Sequence, residues 1–299
     1  MMRSSKQKKS RSRKKIISVY LSPAVSHEND GAEISQISNM PIRILTADSS
    51  LIGTRDYQQD ALFVSKSIYA KRYREAKVYG VLCDGMGGME SGEEISEFVV
   101  TEMRKEFETL SYNRNVAAFF IEKIQMLDAM VANKYGACVA GTTMVAVVIF
   151  GKRLYWGAVG DSRIYIIRRD EIAQATRDHN YYLNLKEDVE KGNITQEQAD
   201  NDPRRDALIS FIGSGNPELI DANTEPFTLA DEDIVLLCSD GLTKSLTDEK
   251  ILALVSEYSD NLEEAANKLT FCAIDIDLEP KDNTSVILIK YYEEKEGVI

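Results

Sequence analysis

Residues 142–176 read TTMVAVVIFGKRLYWGAVGDSRIYIIRRDEIAQAT, and this stretch decides the fold class. Thr142–Phe150, Leu154–Val159, Arg163–Arg168 and Ile172–Thr176 are short, rich in Val, Ile and Tyr, and bounded by turn residues, so each reads as a strand. Gly151-Lys152 and Asp170-Glu171 leave room only for tight hairpins, so the strands they join are expected to pair antiparallel. Further strands are expected upstream at Arg43–Ala47, Ala61–Val64 and Lys77–Cys83, and downstream at Ile234–Cys238 and Thr284–Tyr291. Helices separate these groups. Ser91-x-x-Glu94 has the form of a capping box, followed at helical spacing by Ile95, Phe98, Val99, Met103 and Phe107. Val116, Phe119, Phe120, Ile124, Leu127 and Val131 mark a second apolar stripe. Thr247 caps a helix bearing Ile251, Leu254 and Val255, and Asn261-x-x-Glu264 opens another with Leu262, Ala265, Ala266, Leu269 and Ile276. Antiparallel strands with segregated helix pairs predict a layered α+β fold. There is no βαβ alternation and no glycine-rich phosphate loop of the dinucleotide or P-loop type.

Composition narrows the function. The 299 residues are 43% hydrophobic and 28% charged, enough for a packed core. The longest clean apolar run, Met144–Phe150, is far too short to span a bilayer, and no secretory h-region is present, so a cytoplasmic protein is expected. Cys83, Cys138, Cys238 and Cys272 form no C-x-x-C pair and read as small buried hydrophobes. With only His27 and His179, a His-rich metal site is nearly excluded and a Ser-His-Asp hydrolase is disfavoured. Residues 1–15 hold eight Lys or Arg and no acid; removing that +8 from the net charge of −12 leaves −20 on the remainder. Such a body repels nucleic acid and suits multivalent cations or basic partners. The basic leader is either a solvated tail or a contact for nucleic acid or an anionic membrane. We expect a leader at 1–40, one domain at 41–292, and a tail at 293–299. A polar insert at 180–215 reads as a mobile flap: a helix over Tyr181–Lys191 stopped by Gly192, then Thr195-x-x-Gln198 capping a short turn. Its Lys186, Arg204 and Arg205 meet either an acidic or phosphorylated substrate or only water.

The aspartates carry the chemistry. Apolar strands run into Asp84-Gly85-Met86-Gly87-Gly88, Gly160-Asp161-Ser162-Arg163 and Ser239-Asp240-Gly241; Asp282-Asn283 precedes a strand, and Asp60 follows Arg55-x-x-Gln58-Gln59. Each alone is ordinary turn chemistry. Gathered in one place, these carboxylates would repel and be driven toward protonation unless cations compensated, and oxygen donors suit the hard ions Mg²⁺ and Mn²⁺.

In this order, Arg55-Asp56-Tyr57-Gln58-Gln59-Asp60, Asp84-Gly85-Met86-Gly87-Gly88, Gly141-Thr142-Thr143, Gly160-Asp161-Ser162-Arg163, Ser239-Asp240-Gly241 and Asp282-Asn283 resemble the metal-dependent serine/threonine protein phosphatases of the PP2C type, bacterial branch, over about residues 43–291. The resemblance implies a four-layer α-β-β-α sandwich, two central antiparallel sheets flanked by helices, with a metal cluster at one edge. It implies that Asp84 bridges two Mn²⁺ or Mg²⁺ ions, that the Gly85 carbonyl joins one, that Asp240 and Asp282 complete the other, and that Asp60 holds metal-bound water. Asp161 would help bind a third ion, as in bacterial relatives, and Arg55 would grip the phosphate. Hydroxide bridging the two metals would attack phosphorus in line, with no covalent intermediate. Cys83 and Cys238, beside key acids, read as strand interior rather than nucleophiles. Two positions depart from many relatives: Met86 stands where a general-acid His is common, and Gln59 replaces a Glu. His179 is either a substitute acid or a hydrogen-bonded structural residue. The implied partners are phosphorylated proteins, a serine/threonine kinase or its substrates, met by a monomer. The alternative is a catalytically inactive phosphoprotein-binding module on the same fold, which ought to have lost its metal acids; Asp60, Asp84, Asp240 and Asp282 are all present.

Overall fold

The computed structural model describes residues 41–72, 75–87, 91–275 and 281–293. The leader at 1–40 and the tail beyond Glu293 lie outside the described residues, as does Ile276. In chain order the elements are β1 (Ile42–Leu51), β2 (Asp60–Val64), β3 (Ile68–Ala70), β4 (Lys77–Met86), α1 (Ser91–Thr109) and α2 (Val116–Tyr135). There follow β5 (Gly141–Thr142), β6 (Met144–Phe150), β7 (Arg153–Val159), β8 (Arg163–Arg168), β9 (Glu171–Gln174), α3 (Tyr182–Glu190) and α4 (Gln196–Asp200). The last are β10 (Asp221–Ala222), β11 (Phe227–Thr228), β12 (Ile234–Cys238), α5 (Asp240–Ser245), α6 (Asp248–Glu257), α7 (Leu262–Ile274) and β13 (Thr284–Glu293).

Two antiparallel sheets result. One runs β3-β1-β13-β12-β8-β9; the other runs β10-β7-β6-β4-β2, with β11 beside β7 and β5 beside β4. Both hairpins form as expected, with Phe150 opposite Arg153 and Arg168 opposite Glu171. Side-chain alternation builds the layers. From β6, Val145, Val147 and Ile149 enter the core between the sheets, while Met144, Ala146, Val148 and Phe150 pack under the α1 and α2 stripes. From β12, Val235 and Leu237 face the other sheet, while Ile234, Leu236 and Cys238 pack beneath α5, α6 and α7. Central strands covered on both faces explain the continuous apolar runs. The expected order of helices, sheet, sheet, helices is therefore the observed one.

The helix boundaries follow their caps. Asn115 accepts from Ala118 N at the start of α2, Thr247 from Lys250 N at α6, and Asn261 from Glu264 N at α7. Thr195 and Gln198 form a reciprocal capping box at α4. Several boundaries differ from expectation. Thr142–Phe150 is interrupted at Thr143, whose backbone turns to bond Asp84 O. β4 runs past Cys83 to Met86, because Gly85 and Met86 pair with Thr142 and Gly141. Asp84 thus sits inside a strand rather than in a turn after it. Asp240 likewise opens a short helix. β9 ends at Gln174, two residues early, where Thr176 turns its hydroxyl back onto Ile164 N. The two-residue strands β10 and β11 are too short to leave a periodic signal.

Candidate metal centre

Sheet register and chain crossings bring the acids together. Asp60 opens β2 directly opposite Asp84 on β4. In the other sheet β12 and β13 are neighbours, so Asp240, just after β12, and Asp282, just before β13, share one end of that sheet. Asp161 lies where the chain leaves β7 of one sheet for β8 of the other. All five belong to one electrostatic cluster, since the charges of Asp60, Asp240, Asp161 and Asp282 all act on Asp84.

Neutral groups hold the acids in place. Asp84 N donates to Thr143 Oγ1 at 3.0 Å, while Thr143 N and Thr142 Oγ1 both donate to Asp84 O at 2.9 Å. Thr143 Oγ1 also bonds Ser162 Oγ at 2.7 Å, linking Asp84 to the Asp161 turn. Ser239 Oγ donates to Asp60 Oδ2 at 2.8 Å and accepts from Ser285 N at 3.0 Å, so one hydroxyl joins the two sheets. Asn283 is a clamp that sequence reading had recorded only as part of a motif. Its Oδ1 accepts from Gln59 N at 2.8 Å, and its Nδ2 donates to Ile52 O at 2.8 Å and Tyr57 O at 3.1 Å. It thereby fixes the Arg55–Gln59 loop against the Asp282 turn.

Electrostatics make the cluster unstable by itself. Burial pushes the Asp60 carboxyl up to about 7, with Asp240 and Asp282 adding to the rise and bonds from Ser285 and Ser239 opposing it. Burial followed by Asp240 and Asp178 brings Asp161 to about 7 as well, and Asp84 is raised well above the usual range by burial and its four acidic neighbours. The folded chain therefore keeps protons that the unfolded chain releases from about pH 4. Folding stability in chelator is then expected to fall as pH rises from 5 to 8, by on the order of a few kcal/mol. Thermal unfolding in chelator across that range checks it; a melting temperature that stays flat or rises would contradict the assignment.

The donor set fits a hard divalent cation. Asp60 Oδ1 and Asp240 Oδ1 are buried and without a hydrogen-bond partner. Bare carboxylate oxygens among further carboxylates are costly unless a cation faces them. Among the described residues, however, no three His, Cys, Asp or Glu side chains stand as a preformed cage. Protein cations are in the way. Lys244 Nζ lies 2.5 Å from Asp240 Oδ2 and 3.3 Å from Asp282 Oδ2, and Arg55 Nε lies 3.0 Å from Asp282 Oδ1. Burial works against the Lys244 ammonium, but Asp240 and Asp282 outweigh it and raise its pKa. Sequence reading missed Lys244; its i+4 spacing from Asp240 was the available signal.

The other predicted residues divide. Arg55 reaches the cluster but rests on Asp282, half exposed. Gly85 is locked beside Asp84, its N donating to Gln59 O at 3.0 Å. Cys83 and Cys238 are fully buried, their thiols pushed up by burial, Cys238 to about 12, so neither is a ready nucleophile. His179 is sealed from solvent: its Nδ1 accepts from Gly160 N at 3.2 Å, its N donates to Gly160 O at 2.9 Å, and its Nε2 faces buried Asp221 Oδ1 at 3.3 Å. It braces the Asp161 turn, which is the structural of its two readings. Between centre and insert lies a cleft of about 380 Å³ lined by Asp161, Asp240 and Lys244 on one side and Lys186 and Arg205 on the other. Arg204 pairs with Asp202 at 2.7 Å, and Arg205 pairs with Asp206 at 3.3 Å.

Comparison with known proteins matches residues 46–187 to the family model described as Protein phosphatase 2C. Protein phosphatase PhpP of Streptococcus pneumoniae is 30% identical over 199 residues, covering 63% of this chain and 77% of that protein. Among solved structures, the S. agalactiae serine/threonine phosphatase superposes with a TM-score of 0.72 at 26% identity, covering 84% of this chain and all of that one. The catalytic domain of the serine/threonine protein phosphatase PstP, in complex with two manganese ions, superposes with a TM-score of 0.62 at 25% identity, over 84% of this chain and all of that one.

Proposed function

Because this chain belongs to the protein phosphatase 2C family, we propose that it removes phosphate from phosphoserine and phosphothreonine in proteins, using divalent ions held by its carboxylate centre. The observation that carries the metal reading is the pair of bare buried oxygens, Asp60 Oδ1 and Asp240 Oδ1, within a cluster of acids. Asp60, Asp84, Gly85, Asp240 and Asp282 would hold two Mn²⁺ or Mg²⁺ ions, and Asp161 would contribute to a third. Such ions, when bound, would activate water for in-line attack on phosphorus and offset charge on the phosphoryl oxygens.

The rest falls to the chain's own side chains. Thr142 and Thr143 hold the Asp84 backbone in place, and Ser239 holds the Asp60 carboxylate. Arg55 stands at the rim of the centre, and its guanidinium fork matches two phosphoryl oxygens. Lys186 and Arg205 line the cleft beside it and would meet acidic groups flanking the phosphoresidue. Met86 has no proton to give and His179 is enclosed, so neither protonates the departing serine or threonine oxygen. Among the described residues, no helix is long and apolar enough to cross a membrane. We place the protein in the cytoplasm as a monomer, opposing a serine/threonine kinase on that kinase's substrates.

The test is release of inorganic phosphate from a phosphothreonine peptide. Turnover is expected with Mn²⁺, loss in chelator, and recovery when Mn²⁺ is returned in excess. Turnover that persists in chelator would overturn the metal assignment; no turnover by the manganese-loaded protein on phosphothreonine or phosphoserine peptides would overturn the phosphatase reading.

A further inference from the structure

We propose that Lys244 is a built-in counter-cation of the acidic centre, occupying part of the divalent-ion position when no ion is there and setting how tightly the ion is held. The inference rests on the metal reading above and extends it to a residue outside the donor set. Lys244 sits one helical turn after Asp240 on α5, so its side chain runs back over the same face. Its ammonium bridges two acids from different segments, Asp240 Oδ2 at 2.5 Å and Asp282 Oδ2 at 3.3 Å. One positive charge on a flexible stem satisfies only part of the demand: Asp240 Oδ1 and Asp60 Oδ1 remain bare on the buried side. A divalent ion reaching those oxygens brings a second charge, and it must take Asp240 and Asp282 from Lys244.

Displacement is sterically open. The Lys244 side chain is 53% exposed and borders the cleft, so it can swing toward solvent without disturbing the core. The consequence is competition. If the ammonium occupies the two carboxylates in about nine molecules of ten, the apparent affinity for the ion is about tenfold weaker than the bare site would show. A centre with this internal ion pair also tolerates metal loss better than carboxylates alone, because its repulsion is partly offset in the empty state.

The experiment measures Mn²⁺ binding by calorimetry on the full chain after chelation, for wild type, Lys244→Met and Lys244→Arg, with thermal unfolding of each in chelator. Lys244→Met is expected to bind Mn²⁺ about tenfold more tightly and to unfold at a lower temperature when chelated. Lys244→Arg, which keeps the charge, is expected to stay within about threefold of wild type in affinity. Equal Mn²⁺ affinity in wild type and Lys244→Met would overturn the inference while leaving the metal centre intact. Absence of Mn²⁺ uptake by both would overturn the metal reading itself, and the inference with it.

Discussion

Asp240→Asn is expected to lower kcat on a phosphothreonine peptide by roughly 10³-fold, beyond the 10–100-fold typical of changes behind the metal ligands. The substitution is nearly isosteric, and at the first residue of α5 it forgoes only the modest dipole benefit of a carboxylate there. What changes is one full negative charge at the position where the proposal puts a divalent ion, together with one carboxylate oxygen. The effect on stability should run the other way. Asp240 is one of the charges that raise Asp60, Asp84 and Asp161. Removing it lets those acids ionise more easily, and the folded state then gives up less free energy above pH 7. Lys244 loses one carboxylate but keeps Asp282. Chelated Asp240→Asn protein is therefore expected to unfold no earlier than chelated wild type at pH 8, while its phosphatase activity is nearly gone. Activity within tenfold of wild type would rule out a ligand role; an early melting transition would trace the loss to folding instead.

Gly85→Ala is expected to cost more than hundredfold in turnover although it removes no side-chain donor. A Cβ at this position would lie 2.2 Å from Gly92 O, 2.6 Å from Gly92 C and 2.7 Å from Gln59 O. All three are backbone atoms, held by the first turn of α1 and by the loop that Asn283 fixes, so none yields cheaply. The methyl group must push β4 away from one of them, and Asp84 is the adjacent residue. Overpacking of this kind costs about 1–3 kcal/mol, occasionally more, and a displacement near 1 Å at a reacting centre by itself costs about 10²-fold. Gly80→Ala, five residues earlier on the same strand, is the control. Its new methyl would meet only Val64 and Ile287 side-chain carbons at 3.6–3.7 Å, an ordinary contact. It should retain turnover within about twofold. If both variants behave alike, close approach at Gly85 is not what holds the centre.

The elements that sequence made legible are those with local causes. The hairpins at Gly151-Lys152 and Asp170-Glu171, the caps at Thr195, Thr247 and Asn261, and the stripes on α1 and α2 all rest on residues within a few positions of one another. Most acidic segments were visible for the same reason: Asp84, Asp161, Asp240 and Asp282 each stand beside Gly, Ser or Asn near an apolar run. Sequence could not show that β7 and β8 belong to different sheets, because the Gly160-Asp161-Ser162 crossing looks like any short turn. Nor could it show the clamp made by Asn283 on Ile52, Tyr57 and Gln59, or the bond from Ser239 to Asp60, which span more than 170 positions. The interruption at Thr143 was hidden because the apolar pattern continues through it; a backbone bond to Asp84, not hydrophobicity, sets the break. Lys244 reaches Asp240 by local i+4 spacing, but no spacing rule brings Asp282 to both Lys244 and Arg55.

Among the described residues the last strand, β13, is inserted between β1, the first, and β12. A ribosome delivers these pieces in the wrong order for that sheet: β1 emerges with its longest neighbour still unsynthesised, and Asp282 and Asn283 arrive after Asp60, Asp84, Asp161 and Asp240. Assembly of the acidic cluster is thereby deferred until Asp282 and β13 have emerged. A nascent chain halted between Asp240 and Asp282 holds Asp60, Asp84 and Asp240 but has neither the strand that joins β1 to β12 nor the Asn283 amide that docks its Arg55 loop, so its acidic cluster is incomplete. The same arrangement makes folding depend on pairing Ile42–Leu51 with Thr284–Glu293, which slows it, and it leaves the side of β1 away from β3 unpaired until β13 arrives.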